Sequence, residues 1–234
     1  MSPRVNVGVL FYNNARLVNP FFFFLRKSTG IPLRIIAVEN GSSDGTGEEL
    51  KKQMTENDVI ITVPENVGCA KGGNLILNKM KEIEGSYKNI LYLNSDMFIS
   101  KRDSINRMHD TLELNPNVGV VYGESSAFNP TSSGFGVYVR IEYNFAFCMI
   151  RGETLEELGI FDPTFQVFYS DNDFQTRMSK SKKWKNMGCK EALAIHLQGE
   201  TTYFVEGVEK RKQSIEHDKA YYEKKWHCEM PTVG

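Results

Sequence analysis

Leu33-Arg34-Ile35-Ile36-Ala37-Val38 runs without a break into Glu39-Asn40-Gly41-Ser42-Ser43-Asp44-Gly45-Thr46. The first six residues read as a buried strand, since a continuous apolar, β-branched run suits a sheet covered on both faces. The next eight are turn-forming in composition. Thr46 and Glu49 have capping-box spacing, which predicts a helix starting there. Strand, polar loop and helix in this order are the unit of an α/β fold.

Working outward, the unit recurs. Upstream, Val5–Leu10 is a strand ending at Tyr12-Asn13-Asn14, and Asn19-Pro20 offers an N-cap and a first-turn proline for a helix through Arg26. Downstream, Val59–Val63 is a strand and Pro64 to Lys71 a loop, followed by a helix with Ile76, Met80 and Ile83 on one face. Ile90–Leu93, the loop Asn94-Ser95-Asp96 and a helix from about Lys101 to Leu114 come next, then a strand over Gly119–Tyr122. The expected fold is a Rossmann-like, mostly parallel central sheet flanked by helices.

Past about Pro130 the rhythm changes. Thr131–Gly136 reads as a loop, Phe145–Ile150 and Ala192–His196 as strands, and Glu209 to Trp226 as a closing amphipathic helix with Ile215, Tyr222 and Trp226 nearly aligned. Arg177 to Lys190 holds six basic residues and no acid, a composition that suits a solvated face or contact with an anionic acceptor. The expectation is one domain over 1–234, with a nucleotide-sugar half over about 1–125 and an acceptor half over about 126–234.

Composition sets the outer limits. With 234 residues and 41% hydrophobic side chains there is enough apolar surface for a full core, which removes disordered, collagenous and disulfide-scaffold classes. A net charge of −1 argues against binding nucleic acid through global charge. Cys69, Cys148, Cys189 and Cys228 form no CxxC pair, so a zinc ribbon is not expected and a reducing compartment is. The start, Met1-Ser2-Pro3-Arg4, is too polar for a signal peptide. Phe21–Phe24 is far shorter than the ~20 residues of a membrane span. A cytoplasmic chain with no integral membrane segment is expected.

Ligands of a parallel α/β sheet gather at the carboxyl ends of its strands. The loops there, Phe11–Asn14, Glu39–Thr46, Glu65–Asn74 and Asn94–Asp96, are rich in amides, hydroxyls and carboxylates. Each is explained singly by turn chemistry; four in register point to ribose hydroxyls, base edges and a cation. Neither G-x-x-x-x-G-K-[ST] nor a G-x-G-x-x-G after the first strand is present. A divalent metal, Mg²⁺ or Mn²⁺, is the natural substitute for a glycine cradle around a diphosphate.

Val38-Glu39-Asn40-Gly41-Ser42-Ser43-Asp44-Gly45-Thr46 resembles the V-D-N-G-S-x-D-G-T signature of the family 2 inverting glycosyltransferases, which have a GT-A fold. Asn66-Val67-Gly68-Cys69-Ala70-Lys71-Gly72-Gly73-Asn74 resembles their N-x-G-x-A-x-G-x-N segment, especially in the rhamnosyltransferase-like branch. Leu93-Asn94-Ser95-Asp96 stands where that family carries its metal motif. Gly159-Ile160-Phe161-Asp162 and the run from Phe168 to Arg177 resemble its acceptor-side pattern, and His196 with Gly199 and Thr201 its late H-x-x-G-x-S element. The matches run in order from about Val5 to Thr202. Glu39 stands where the family has Asp, and Ser170 where an acidic residue usually precedes the catalytic Asp.

The resemblance implies transfer of a hexosyl or deoxyhexosyl group from a UDP-, dTDP- or GDP-sugar to an acceptor hydroxyl, with inversion. It implies Asp96 as metal ligand, with His196 at a second metal or diphosphate position, and Asp171 as general base, aided by Asp173. A bland alternative exists for each, since Asp after a strand caps a helix and Asp171 and Asp173 favour a helix N-terminus. The implied nucleotide-sugar site takes in Phe11, Tyr12, Asn13, Glu39, Asn40, Asn66, Gly68, Lys71, Asn94 and Ser95. Gly72-Gly73 lets backbone approach either a ligand or the sheet. The acceptor is open among a glycan, a wall polymer and a modified nucleic acid, with specificity expected in loops from Glu124 to Tyr143 and on the C-terminal helix. Two other classes remain: a sugar-phosphate nucleotidyltransferase, whose glycine-rich segment after the first strand is missing, and a non-catalytic carbohydrate- or nucleic-acid-binding protein on the same scaffold.

Overall fold

The apolar strands of the first half alternate between two cores. Ile35, Ala37, Leu91 and Leu93 face one side of the sheet, and Ile36, Val38, Ile90 and Tyr92 the other, so both faces of these central strands are covered. The computed structural model describes residues 4–131, 134–141, 143–197 and 208–229, with the backbone alone for 127–131 and 134–140. The elements run β1 (Val5–Phe11), α1 (Ala15–Lys27), β2 (Leu33–Asn40), α2 (Thr46–Gln53), β3 (Val59–Val63), α3 (Cys69–Glu84), β4 (Ile90–Asn94), β5 (Met97–Ile99), α4 (Ser104–Leu114) and β6 (Val118–Thr131). They continue with β7 (Gly134–Ile141), β8 (Phe147–Ile150), α5 (Gly152–Leu158), α6 (Ser170–Ser181), β9 (Lys185–His196) and α7 (Val208–Trp226).

The strands form one sheet in the order β3-β2-β1-β4-β8-β6-β9-β5, with β7 paired to β6. Among the described residues, β1, β2, β3, β4, β6 and β9 point one way, and β5, β7 and β8 run against them. Helices α1, α2 and α4 cover one face. Helices α3, α5, α6 and α7 cover the other, over an aromatic core of Tyr122, Phe145, Phe161 and Phe174. This is the α/β sheet the strand–helix alternation predicts.

Several elements differ from their sequence-based bounds. Helix α1 begins at Ala15, five residues before Pro20, which lies inside it with Asn19 rather than opening it behind an Asn19 cap. The cause is remote: Asp44 accepts the Ala15 amide and Thr46 the Asn14 amide, so residues about 30 positions away cap the helix. Thr46 is the first helical residue of α2, and its amide goes to Asp44 rather than into a capping box. On α3 the buried face is Ile76, Leu77 and Met80, while Ile83 stands exposed. The expected loops from Glu124 to Tyr143 are instead largely a hairpin: β6 extends to Thr131 and pairs with β7 from Glu124↔Ile141 to Thr131↔Gly134. Ser132 and Ser133, and the expected motif positions Gly199 and Thr201, lie outside the described residues.

Candidate active site

Register decides which loops meet. In the parallel sheet Phe11 lies opposite Glu39, Leu10 opposite Asn94, and Asn40 opposite Val63. The segments that follow, Tyr12–Asn14, Gly41–Thr46, Pro64–Gly68 and Ser95–Asp96, therefore share one edge. Hydrogen bonds stitch them together. The Asn13 amide reaches Ser42 Oγ at 3.0 Å and its Oδ1 accepts the Ser43 amide at 2.7 Å. Asn14 Nδ2 donates to Ser95 Oγ at 2.9 Å, which ties the β1 loop to the β4 loop. Asn13 holds a left-handed φ of 47°, a conformation asparagine tolerates better than most residues.

The nucleotide-sugar candidates divide. Tyr12 and Asn13 are half-buried on this edge, and Asn94 and Lys71 are exposed there. Phe11 is a correction: its ring is fully buried against Phe21 and Phe22, on the α1 side of the sheet, and offers no face to a base. Glu39 folds onto its own turn, accepting the Ser42 amide at 2.6 Å. Asn40 is buried and holds the next loop, donating to Asn66 Oδ1 at 2.9 Å and accepting the Val67 amide at 3.0 Å. Ser95 is buried beside Asp96. A Cβ on Gly72 would stand 2.5 Å from Leu10, and one on Gly73 2.8 Å from Phe161 and the Tyr92 hydroxyl, so this pair serves helix–sheet packing.

Gly68 joins the two halves of the chain. Its φ is +85° with ψ 172°, a region open essentially to glycine alone. The Gln166 carbonyl sits against it and accepts the Cys69 amide at 2.6 Å. That loop is in turn fixed by Asp218 of α7, a fully buried carboxylate that accepts the amides of Gln166, Val167 and Phe168 at 2.8–3.1 Å. Sequence reasoning missed Asp218, because nothing local distinguishes it from other helix-surface acids.

Asp96 and His196, far apart in sequence, come together through the pairing of β5 with β9, in which Met97 lies opposite His196. Asp96 Oδ1 and His196 Nε2 are 3.4 Å apart, and each residue is only 7% exposed. A hard carboxylate oxygen beside an imidazole nitrogen suits Mn²⁺ or Mg²⁺ as half a ligand set. Among the described residues no third His, Cys, Asp or Glu completes a metal-binding group.

Asp171 lies in the first turn of α6. Its carboxylate accepts the Asn172 amide at 2.9 Å, and the Phe145 amide also lies against it. Burial raises its pKa above the usual carboxylate value, against the opposing pull of those amides. The Asn94 amide donates to the carbonyl of Ala146, the residue after Phe145, at 2.9 Å. Asp171 is thus reached from the end of β4, two residues short of Asp96. Asp173 is different. It is fully buried and bound by Arg177 Nε, Trp226 Nε1 and Lys225 Nζ at 3.0, 3.0 and 2.6 Å, so it ties α6 to α7 and does not face an acceptor. Asp162 makes a similar tie to Tyr221 and Lys225.

Half of the basic stretch is engaged internally, while Lys182, Lys185 and Lys190 are exposed. Arg177 also binds the carbonyls of Leu158, Gly159 and Ile160, Lys180 lies 4.3 Å over Trp226, and Lys183 pairs with Glu157. A cavity of about 560 Å³ lined by Arg4, Asn6, Tyr87, His109 and Glu153 sits at the amino ends of β1 and β4. That is the sheet edge away from these groups. No helix among the described residues is long and apolar enough to cross a membrane.

No protein-family model and no curated protein matches the sequence. Solved structures do. A mannosyltransferase from Pyrobaculum calidifontis, PcManGT, in complex with GDP-Man and Mn²⁺, superposes with a TM-score of 0.69 at 18% identity. That match covers 96% of this chain, which spans 65% of the PcManGT chain. TarS of S. aureus, residues 1–349, superposes with a TM-score of 0.61 at 14% identity, covering 96% of this chain and 72% of that one. With its sheet order, strand-end loops and nearly complete coverage by these structures, the chain has a GT-A-like α/β fold.

Proposed function

We propose that the chain transfers a sugar, with inversion, from a nucleoside-diphosphate donor to an acceptor hydroxyl. The observation that supports this reading is Asp171, a half-buried carboxylate of raised pKa, linked through the Phe145–Ala146 segment to the end of β4 that leads into Asp96 and its neighbour His196. The donor would lie over Tyr12, Asn13, Asn66 and Asn94, with Lys71 near its phosphates. Asp96 and His196 would hold a divalent ion, which when bound supplies charge neutralisation for the departing diphosphate. PcManGT, with GDP-Man and Mn²⁺, makes that donor class and metal the first to try.

Asp171 does the proton work. An acceptor hydroxyl gains nucleophilicity as its proton leaves, and a fixed carboxylate takes that proton while the C–O bond forms. The Asn172 and Phe145 amides hold the carboxylate in place, and its raised pKa makes it a stronger base than an exposed aspartate. Release of nucleoside diphosphate from UDP-, dTDP- and GDP-sugars with and without Mn²⁺ tests the reading. Mn²⁺-dependent release that Asp96→Ala abolishes is the expected result; the absence of release from any donor would refute it.

A further inference from the structure

We propose that Tyr143 is the floor of an acceptor subsite and that an uncharged pyranose lies on it, so the acceptor is a neutral glycan. The proposal rests on the transfer reading above and deepens it. Tyr143 is 53% exposed, yet it is held firmly. Its ring meets the buried Tyr122 edge-on at 5.1 Å, and its carbonyl accepts from Gln175 of α6. Asn144 Oδ1 then takes the Ala146 amide at 3.1 Å, and the Phe145 ring packs on Phe161 and Phe174. An exposed aromatic on a rigid base binds at little entropic cost.

Position gives this ring a purpose. Phe145, two residues on, lends its amide to Asp171, so Tyr143 flanks the carboxylate that takes the acceptor proton. Asn144 follows Tyr143 in the chain, Gln175 bonds its carbonyl, and Asn172 stands beside Asp171, all three half-buried. A ring face attracts the C–H face of a pyranose, and a side-chain amide such as that of Asn172 can both donate to and accept from its hydroxyls. Charge argues against a polyanion. The first turn of α6 carries Asp171 and Asp173 and, among the described residues, no cation; Arg177, Lys180 and Lys183 are turned to Asp173, Trp226 and Glu157, while the exposed Lys182 and Lys185 follow the far end of α6 and Lys190 lies in β9.

The test is saturation-transfer NMR on the full chain with cellobiose, lactose, maltose, N,N′-diacetylchitobiose and methyl α-mannoside. At least one saccharide should bind, Tyr143→Ala should weaken it about tenfold or more, and Tyr143→Trp should keep it within about threefold. Polyphosphate should not displace it, and Lys183→Ala should leave it unchanged. Binding indifferent to Tyr143→Ala, no saccharide binding to the wild type, or displacement by polyphosphate would each overturn the proposal. Nucleotide-sugar turnover is measured alongside. Turnover without Tyr143-dependent saccharide binding refutes the subsite and leaves transfer standing; Tyr143-dependent binding with no turnover refutes transfer and leaves a saccharide site.

Discussion

Substituting Gly68 by alanine probes the seam between the two halves of the chain. The new Cβ would stand 2.5 Å from the Gln166 carbonyl oxygen, at a backbone conformation of φ +85° that alanine resists. Strain of this kind costs about 1–3 kcal/mol. Relief by moving the Gln166 loop would break its 2.6 Å bond to the Cys69 amide, worth about 1 kcal/mol, and pull on the three amides held by Asp218. The expected loss is about 2–4 kcal/mol, or about 4–16 °C in Tm for a chain of this length. Differential scanning calorimetry reads it directly. A Gly68→Ala protein melting within about 1 °C of the wild type would refute the claim that this contact joins the halves.

Two carboxylates should respond to pH in opposite senses. The Asp171 pKa is raised by burial, so its contribution to stability is present at acid pH and lost as pH rises through the folded value. Asp171→Asn should therefore stabilise the fold at pH 7.5, by about 1.4 kcal/mol per pKa unit of upward displacement, and so raise Tm there, with the gain fading towards pH 3; a lowered Tm at pH 7.5 would contradict it. For Asp162, burial pushes the pKa up, but Lys225, the Thr164 amide and Tyr221 outweigh it and hold the carboxyl far below the ordinary range. Its stabilisation is present above the unfolded pKa of 3.8 and lost as pH falls towards the folded value, so Asp162→Asn should cost about 1–3 kcal/mol at pH 7 and less in acid, read by urea unfolding at both pH values.

The strand–helix alternation was legible because each buried strand is a local apolar run and each strand-end loop is rich in turn residues. Register then followed from the parallel topology, which is why Tyr12, Asn13, Asn94 and Asp96 meet at one edge. What was not legible depends on distant partners. The start of α1 is set by Asp44 and Thr46, so a local rule about Pro20 misplaced it. Glu124-Ser125-Ser126 reads as loop but continues β6, because β7 and β9 pair with it on either side. Phe11 sits next to the edge in sequence, yet strand alternation turns its ring into the α1 core. Asp173 looked like a second acceptor-side acid until Trp226, 53 residues on, proved to be its partner. Asp218 gave no local signal, and only the fold brings it beneath the Gln166 loop.

The most direct test is the rate of sugar transfer by Asp171→Asn, measured with donor affinity on the same protein. Loss of a general base predicts a fall in kcat of about 10²–10⁴-fold with donor Kd little changed. A variant that still transfers sugar within about tenfold of the wild-type rate would show that the acceptor proton leaves by another route, and the account would be wrong at its centre.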